Sequence, residues 1–206
     1  MKNIVLVGYG GHAKSVADMV ESTGQYRIVG YTDQKESEGA AYAYLGTDEN
    51  LSAIYAQGTT YAVICIGYMG HGNLRDSLYN MLKSIGFILP VIIDATAIVS
   101  QNAGIAEGTV VGKGAIINAE AQIGSMCIIN TGAIVEHEDR IGNFSHVAVG
   151  ATLCGNVTIE DHCLIGANAT VIQGITVGAG AVIAAGTTAV KDVIPGKKYY
   201  GLQSGK

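Results

Sequence analysis

The stretch NTGAIVEHEDRIGNFSHVAVG, Asn130 to Gly150, decides how this chain folds. Val135, Ile141 and Val147 recur along it at intervals of six, and the period runs on in both directions. Every sixth residue from Ile93 to Ile183 is Ile, Val or Leu. Two positions before these the side chain is usually small, as at Ala97, Ala103, Ala115, Ala121, Cys127 and Ala133. Gly often follows, as at Gly112, Gly124, Gly142 and Gly166. An unbroken six-residue period is the mark of a parallel β-helix, in which three hexads close one triangular coil of eighteen residues. The aliphatic residue fills the core and the small one fits a tight corner. About five coils are expected, each residue lying roughly 4.8 Å from its counterpart one coil on.

The same stretch crowds Glu136, His137, Glu138, Asp139 and Arg140 together, with His146 close behind. In the hexad register Asp139 takes a corner slot, Arg140 and His146 immediately precede core positions, and His137 follows Val135 by two. Outward side chains on such a face are ordinarily solvated, so charge is permitted there. One coil after His137 comes Gly155, however. A histidine stacked on a bare glycine N–H has the make-up of a base beside an oxyanion donor. Val149, Ala167 and Ala185 also fall one coil apart, a column of short side chains along which an extended ligand could lie. A solvated surface histidine and a column made only for packing are the alternatives at this stage.

Before the repeat the pattern changes. NIVLVG (Asn3–Gly8), RIVGYTD (Arg27–Asp33) and YAVICIG (Tyr61–Gly67) read as buried strands. Val16, Met19 and Val20, and later Leu74, Leu78, Met81, Leu82 and Ile85, fall at helical spacing, with Gly86 suited to a C-cap. This order implies a small parallel sheet with helices packed on it, binding ligands at the carboxyl ends of its strands. GYGGHA (Gly8–Ala13) and Asp33 fall at those ends. The glycines fit a dinucleotide fingerprint with an acidic residue about 20 positions on. A region of roughly 90 residues has only about half the strands of a full dinucleotide fold, so a mononucleotide fits better. Gly10 and Gly11 would let backbone N–H groups approach a diphosphate at a helix N-terminus. His12 either reaches that ligand or is a first-turn surface residue. Two domains are expected: a Rossmann-like nucleotide-sugar-binding domain over 1–90 and a β-helix over 91–206.

Composition narrows the function classes. Of 206 residues 29 are glycine, 49% are apolar and 14% are charged, which signals tightly turned β structure and not disorder. The net charge of −5 argues against a nucleic-acid partner, which needs a basic face. No apolar run approaches the ~20 residues that span a bilayer. No signal peptide precedes the first strand, so a cytoplasmic protein without a membrane partner is expected. Cys65, Cys127, Cys154 and Cys163 form no CxxC pair and read as reduced, buried filler.

The motifs GYGGHA, YTDQ, CIG, INTGAIVEHEDRIGNFSHVAVGATLCGNVTI and GAGAVIAAGTTAVKDV are spread along nearly the whole chain. Together they resemble the sugar O/N-acyltransferase family, which includes bacterial UDP-4-amino-sugar N-acetyltransferases and sialic acid O-acetyltransferases. The resemblance implies an α/β Rossmann-like N-terminal domain, a left-handed β-helix of hexapeptide repeats, a homotrimer and acetyl-CoA as co-substrate. By this resemblance His137 is the general base and Glu138 raises its basicity. His146 and the backbone near Gly155, Ala167 and Ala185 handle acetyl-CoA, while Asn130 positions the acceptor. Gly10, Gly11 and His12 meet the nucleotide diphosphate and sugar, Asp33 meets the uridine, and Gly67 and Arg75 are further substrate contacts. The chain departs from the family at Tyr68 and the following MGHG, at DATA (Asp94–Ala97), and at the closing GLQSGK.

The expected function is acetyl transfer to the 4-amino group of a UDP-linked amino-deoxy sugar. Sialic acid O-acetylation and a non-catalytic nucleotide- or NAD-binding role are the alternatives. Some hexapeptide β-helices carry zinc on a histidine pair five residues apart. Here His137, His146 and His162 are separated by nine and sixteen, so no metal is expected.

Overall fold

The computed structural model of the protein describes residues 1–201. The closing Leu202–Lys206, where the chain departs from the family, lies outside the described residues. The chain forms two compact units, one made of Met1–Gly67 with Gly72–Ala95 and the other of Tyr68–His71 with Thr96 onward.

In the first unit three parallel strands, β1 (Lys2–Val7), β2 (Tyr26–Thr32) and β3 (Tyr61–Ile64), pair in the order β2-β1-β3. Ile4, Val5, Leu6 and Val7 on the central strand are all 0% exposed, which is why the strand reads as an unbroken apolar run. Helices α1 (Gly11–Ser22), α2 (Leu51–Ala56) and α3 (Leu74–Ile85) flank the strands in sequence. Helix α1 buries Ala13, Val16, Ala17, Met19 and Val20. Helix α3 stops at Gly86, whose φ of +111° lets its N–H reach back to the Leu82 and Lys83 carbonyls.

The second unit is the left-handed parallel β-helix. Among the described residues none of its strands exceeds two residues, and three hexads turn the chain once. Strands pair in parallel with the strand eighteen residues on, as Ile116–Ile117 with Ile134–Val135 and that pair with Thr152–Leu153, until Val182–Ile183, which pairs with Lys198–Tyr199. The hexad residues from Val111 to Ile183 are at most 4% exposed, so one aliphatic column fills the prism. Ile93, Val99 and Ile105, at the start of the repeat, are only half-buried.

The three faces differ outside. On the face holding Val110, Ile128, His146 and Leu164 these outward side chains are themselves buried, between 1% and 9% exposed. Tyr68–His71 covers part of this face. The Tyr68 hydroxyl donates to the His162 carbonyl at 2.8 Å. Gly70, with φ +79°, comes so close that a Cβ there would lie 2.7 Å from Val182 Cγ2 and 3.4 Å from Leu164 Cδ2. On the second face Ile98 is 65% exposed, with Ile116 and Ile134 half-buried above it. The third face is polar, with Gln122 and Arg140 exposed.

Candidate active site

The corner between the second and third faces carries Glu136, His137 and Glu138. Four successive coils pass this corner through one residue in the left-handed region: Glu120 at φ 63°, Glu138 at 63°, Asn156 at 59° and Gly174 at 72°. A glutamate held there costs on the order of 1 kcal/mol that glycine would not. The conformation turns the Glu138 carboxylate back onto the preceding ring, and Oε2 accepts from His137 Nδ1 at 3.1 Å. A carboxylate can only accept, so Nδ1 carries the proton and Nε2 of the neutral ring keeps its lone pair. The pair is exposed, at 60% and 58%, so it orients the ring more than it stabilises the fold.

Gly155 lies under that ring. A Cβ at this position would stand 2.5 Å from both Cε1 and Nε2 of His137. Any side chain at 155 would therefore displace the imidazole. The coils are tied here by Asn156 N–H donating to the His137 carbonyl at 2.9 Å. Below, Asn118 Nδ2 donates to Glu136 Oε1 at 2.9 Å, and Glu136 Oε2 accepts the His137 N–H at 3.2 Å.

Asn130 and His146 meet at a different corner, between the first and second faces. The Tyr68 carbonyl can only accept, so His146 donates Nδ1–H to it at 2.8 Å. Nε2 then accepts from Asn130 Nδ2 at 3.1 Å, and Asn130 Oδ1 accepts the Thr131 N–H at 2.8 Å. His146 is 8% exposed, and both ring nitrogens are engaged. Val149, Ala167 and Ala185 stack at this corner through the Asn168 N–H to the Val149 carbonyl and the Gly186 N–H to the Ala167 carbonyl. Val149 is 48% exposed and Ala185 is exposed, so the column is open to solvent. Within this chain, then, His137 and the Asn130–His146 pair stand at opposite ends of the second face.

In the first unit Gly10 caps α1, and a Cβ added at Gly10 or Gly11 would meet nothing within 4 Å. A cleft of about 520 Å³ opens beside this turn, lined by Tyr9, Gly10, Gly11, Lys14, Ala41 and Tyr42 among others. Asp33 braces the turn: Oδ2 accepts the Tyr9 N–H and Oδ1 the Gln34 N–H, each at 2.7 Å. Tyr9 stacks on Tyr31 with centroids 4.1 Å apart. Gly67 lies near the start of α1, where its Cβ would be 3.9 Å from His12 Cβ. Arg75 is only 4% exposed.

Other features do not form a reaction centre. A groove of about 590 Å³ on the third face is lined by Arg140, Asn143, Glu160 and Asp161 among others. Asn143, Asp161 and Glu160 there accept backbone N–H groups of Ser125, Asn143 and Ala179. Burial pushes the Cys65 thiol far up and the Cys163 thiol up to about 11, so neither is a thiolate at neutral pH. Among the described residues no group of three or more His, Cys, Asp or Glu could hold a metal ion. No helix among them is long and apolar enough to cross a membrane.

Two features escaped the sequence reading. The Tyr68 carbonyl that sets the His146 tautomer has no local signal, because it lies 78 residues away. Asp139 was visible as a charge in a column of small corner residues, but not as the acceptor of two backbone N–H groups.

Comparison with known proteins gives consistent matches. Residues 3–82 match the PglD N-terminal domain, and residues 156–188 match the hexapeptide repeat of succinyl-transferase. The structure superimposes on PerB from Caulobacter crescentus in complex with CoA and GDP-perosamine with a TM-score of 0.88. That match has 32% identity and covers 95% of this chain and 92% of PerB. The acetyltransferase domain of PglB from Neisseria gonorrhoeae, in complex with acetyl coenzyme A, gives 0.89 at 30% identity, covering 96% and 95%. Among curated proteins, UDP-N-acetylbacillosamine N-acetyltransferase of Bacillus subtilis (strain 168) is 33% identical over 113 residues. The aligned stretch covers 54% of this chain and only about half, 51%, of that relative.

Proposed function

Since this chain belongs to the left-handed β-helix sugar acyltransferases, we propose that it moves an acetyl group from acetyl-CoA to the 4-amino group of a nucleotide-linked amino-deoxy sugar, with His137 as general base. The observation that carries this reading is the His137 corner: Glu138 on Nδ1, and Nε2 exposed over the bare Cα of Gly155. That arrangement leaves one basic nitrogen facing outward with its tautomer fixed.

In the reaction so read, the sugar amine nitrogen attacks the thioester carbonyl carbon as Nε2 takes the amine proton. Glu138 stabilises the imidazolium. The Gly155 N–H is the candidate donor to the developing oxyanion, a role worth about 3–4 kcal/mol where geometry is good. Collapse breaks the carbon–sulfur bond, and the imidazolium proton leaves with the CoA thiolate, giving the amide and CoA. Holding both substrates in one place supplies the proximity term. Gly10, Gly11, His12, Asp33, Gly67 and Arg75 are assigned to the nucleotide sugar. Asn130 is assigned to the acceptor, and His146, Gly155, Ala167 and Ala185 to acetyl-CoA. A UDP-linked sugar is preferred, in line with the UDP-sugar enzyme of Bacillus subtilis; PerB, with GDP-perosamine, makes the base worth testing.

A homotrimer is part of the same reading. One protomer holds His137 and the Val149–Ala167–Ala185 column at opposite ends of the second face, so a site using both needs two copies. The exposed Ile98 on that face, with Ile116 and Ile134, gives the copies something apolar to cover. Thiol release from acetyl-CoA across a panel of UDP- and GDP-linked 4-amino sugars and free sialic acids tests the assignment. With the best acceptor, His137→Ala should lower turnover ~10²-fold or more while acetyl-CoA binding, followed by calorimetry, is kept. Near-wild-type turnover removes the base assignment.

A further inference from the structure

The slot two residues before each core aliphatic is built for something small, and in this β-helix it is also a place where successive coils are tied. At Thr109 the hydroxyl accepts the Cys127 N–H at 3.0 Å and donates to the Gly124 carbonyl at 2.7 Å. At Ser145 it accepts the Cys163 N–H at 3.0 Å and donates to the Glu160 carbonyl at 2.8 Å. A neutral hydroxyl thus makes the coil-to-coil bond twice. At Asp139 the same slot holds a carboxylate that is 0% exposed. Its Oδ1 accepts the Val157 N–H and its Oδ2 the Glu136 N–H, each at 2.8 Å. The coils on either side place only Ala121 and Val157 in this slot, in the register of Arg140 with Gln122 and Thr158.

Burying a charge is costly, and the fold does not demand one here, since serine serves the equivalent purpose six residues on. The location suggests what it is for. Glu136 immediately precedes His137, and Val157 follows Gly155 by two. The carboxylate therefore ties the turn that carries the imidazole to the coil that carries the glycine beneath it.

We propose that Asp139 is a positioning residue for acetyl transfer, holding His137 over Gly155 by tying the turn at Glu136 to the coil at Val157. The proposal rests on His137 being the base. The electrostatics agree with the geometry. Burial pushes the Asp139 carboxyl up to about 7, against the pull of the Val157 and Glu136 N–H groups. Glu136 pushes it further up and His137 pulls it down. Those two groups of its own turn are the charged partners that act on it.

The test is Asp139→Ser, which installs the neutral tie that Ser145 already uses. The variant is expected to melt as a folded protein, with turnover down about tenfold or more and the KM for acetyl-CoA within about twofold of wild type. Its pH profile of kcat/KM should lose the ionisation near 7 that Asp139 contributes. Unchanged turnover together with an unchanged pH profile overturns the proposal. Should the serine variant fail to fold, carbon-13 NMR of the wild-type protein decides instead. The Asp139 carboxyl resonance should titrate near neutral pH, and a carboxyl that titrates as an ordinary exposed one overturns the idea. His137→Ala, assayed in parallel, tells the two failures apart: near-wild-type turnover there removes the base, and Asp139's role with it.

Discussion

Nine residues separate His137 from His146, yet the same prism treats the two rings in opposite ways. His146 projects from a strand onto a covered face, is 8% exposed, and has one nitrogen on the Tyr68 carbonyl and the other on Asn130. His137 projects from a corner, is 60% exposed, and has one nitrogen on Glu138 and the other over Gly155. Each ring has its tautomer set by an acceptor at Nδ1. They differ in what Nε2 meets, a protein donor in one case and an outward-facing gap in the other. A histidine becomes a base through the nitrogen its neighbours leave alone, and the corner leaves one alone because glycine stands where any other residue would intrude.

That contrast can be broken most directly at Gly155. Gly155→Ala puts a methyl group 2.5 Å from Nε2. Because His137 is exposed, the ring can swing aside at little cost to the fold. Turnover should drop ~10²-fold while the melting temperature barely moves, since small displacements of a reacting group cost about that much. Melting curves and thiol release on the same sample check both halves.

The other ring should answer in the opposite currency. His146→Ala strips the Tyr68 carbonyl of its donor in a buried place, a loss of about 1–3 kcal/mol read from the urea midpoint. The His137 ring resonances should stay where they were.

The smallest effect concerns pH. The Asp139 carboxyl sits near 7 in the fold, against an ordinary ~3.9 for an unfolded aspartate. A carboxyl with a raised folded value favours the folded state fully below the unfolded value, and that contribution is lost as pH rises through the folded one. Between pH 5.5 and 7.5 the wild-type protein should therefore lose stability relative to Asp139→Ser as pH rises. Parallel denaturant titrations at several pH values would show the two curves diverging, and parallel curves would contradict the assignment.

Much of this was legible in the sequence because a β-helix is close to one-dimensional: the position of a side chain follows from its number modulo eighteen. The column from Val111 to Ile183, the small corners and the adjacency of His137 and Gly155 all come from that arithmetic. The Asn130–His146 pair lay within its reach, since Asn130 is two residues past Ile128, the strand partner of His146. Tyr68 did not, because no periodicity links it to the coils it touches. In the first unit, composition and spacing located the strands and α3 with its Gly86 cap. They did not foretell that Asp33 would have both oxygens on backbone N–H groups of its own neighbourhood. Such capping depends on a loop's path, which has no repeat to reveal it.

The four residues Tyr68–His71 also bear on how the protein can be dissected. They leave one structural unit after Gly67, belong to the other, and return at Gly72. A fragment trimmed to begin at Thr96 would keep every hexad residue from Val99 on and the whole His137 corner. It would nevertheless shed the patch of backbone that shields Leu164 and Val182, along with the carbonyl that orients His146. An excised prism would thus bear a greasy scar along one side, and the two halves of this molecule are better studied whole than apart.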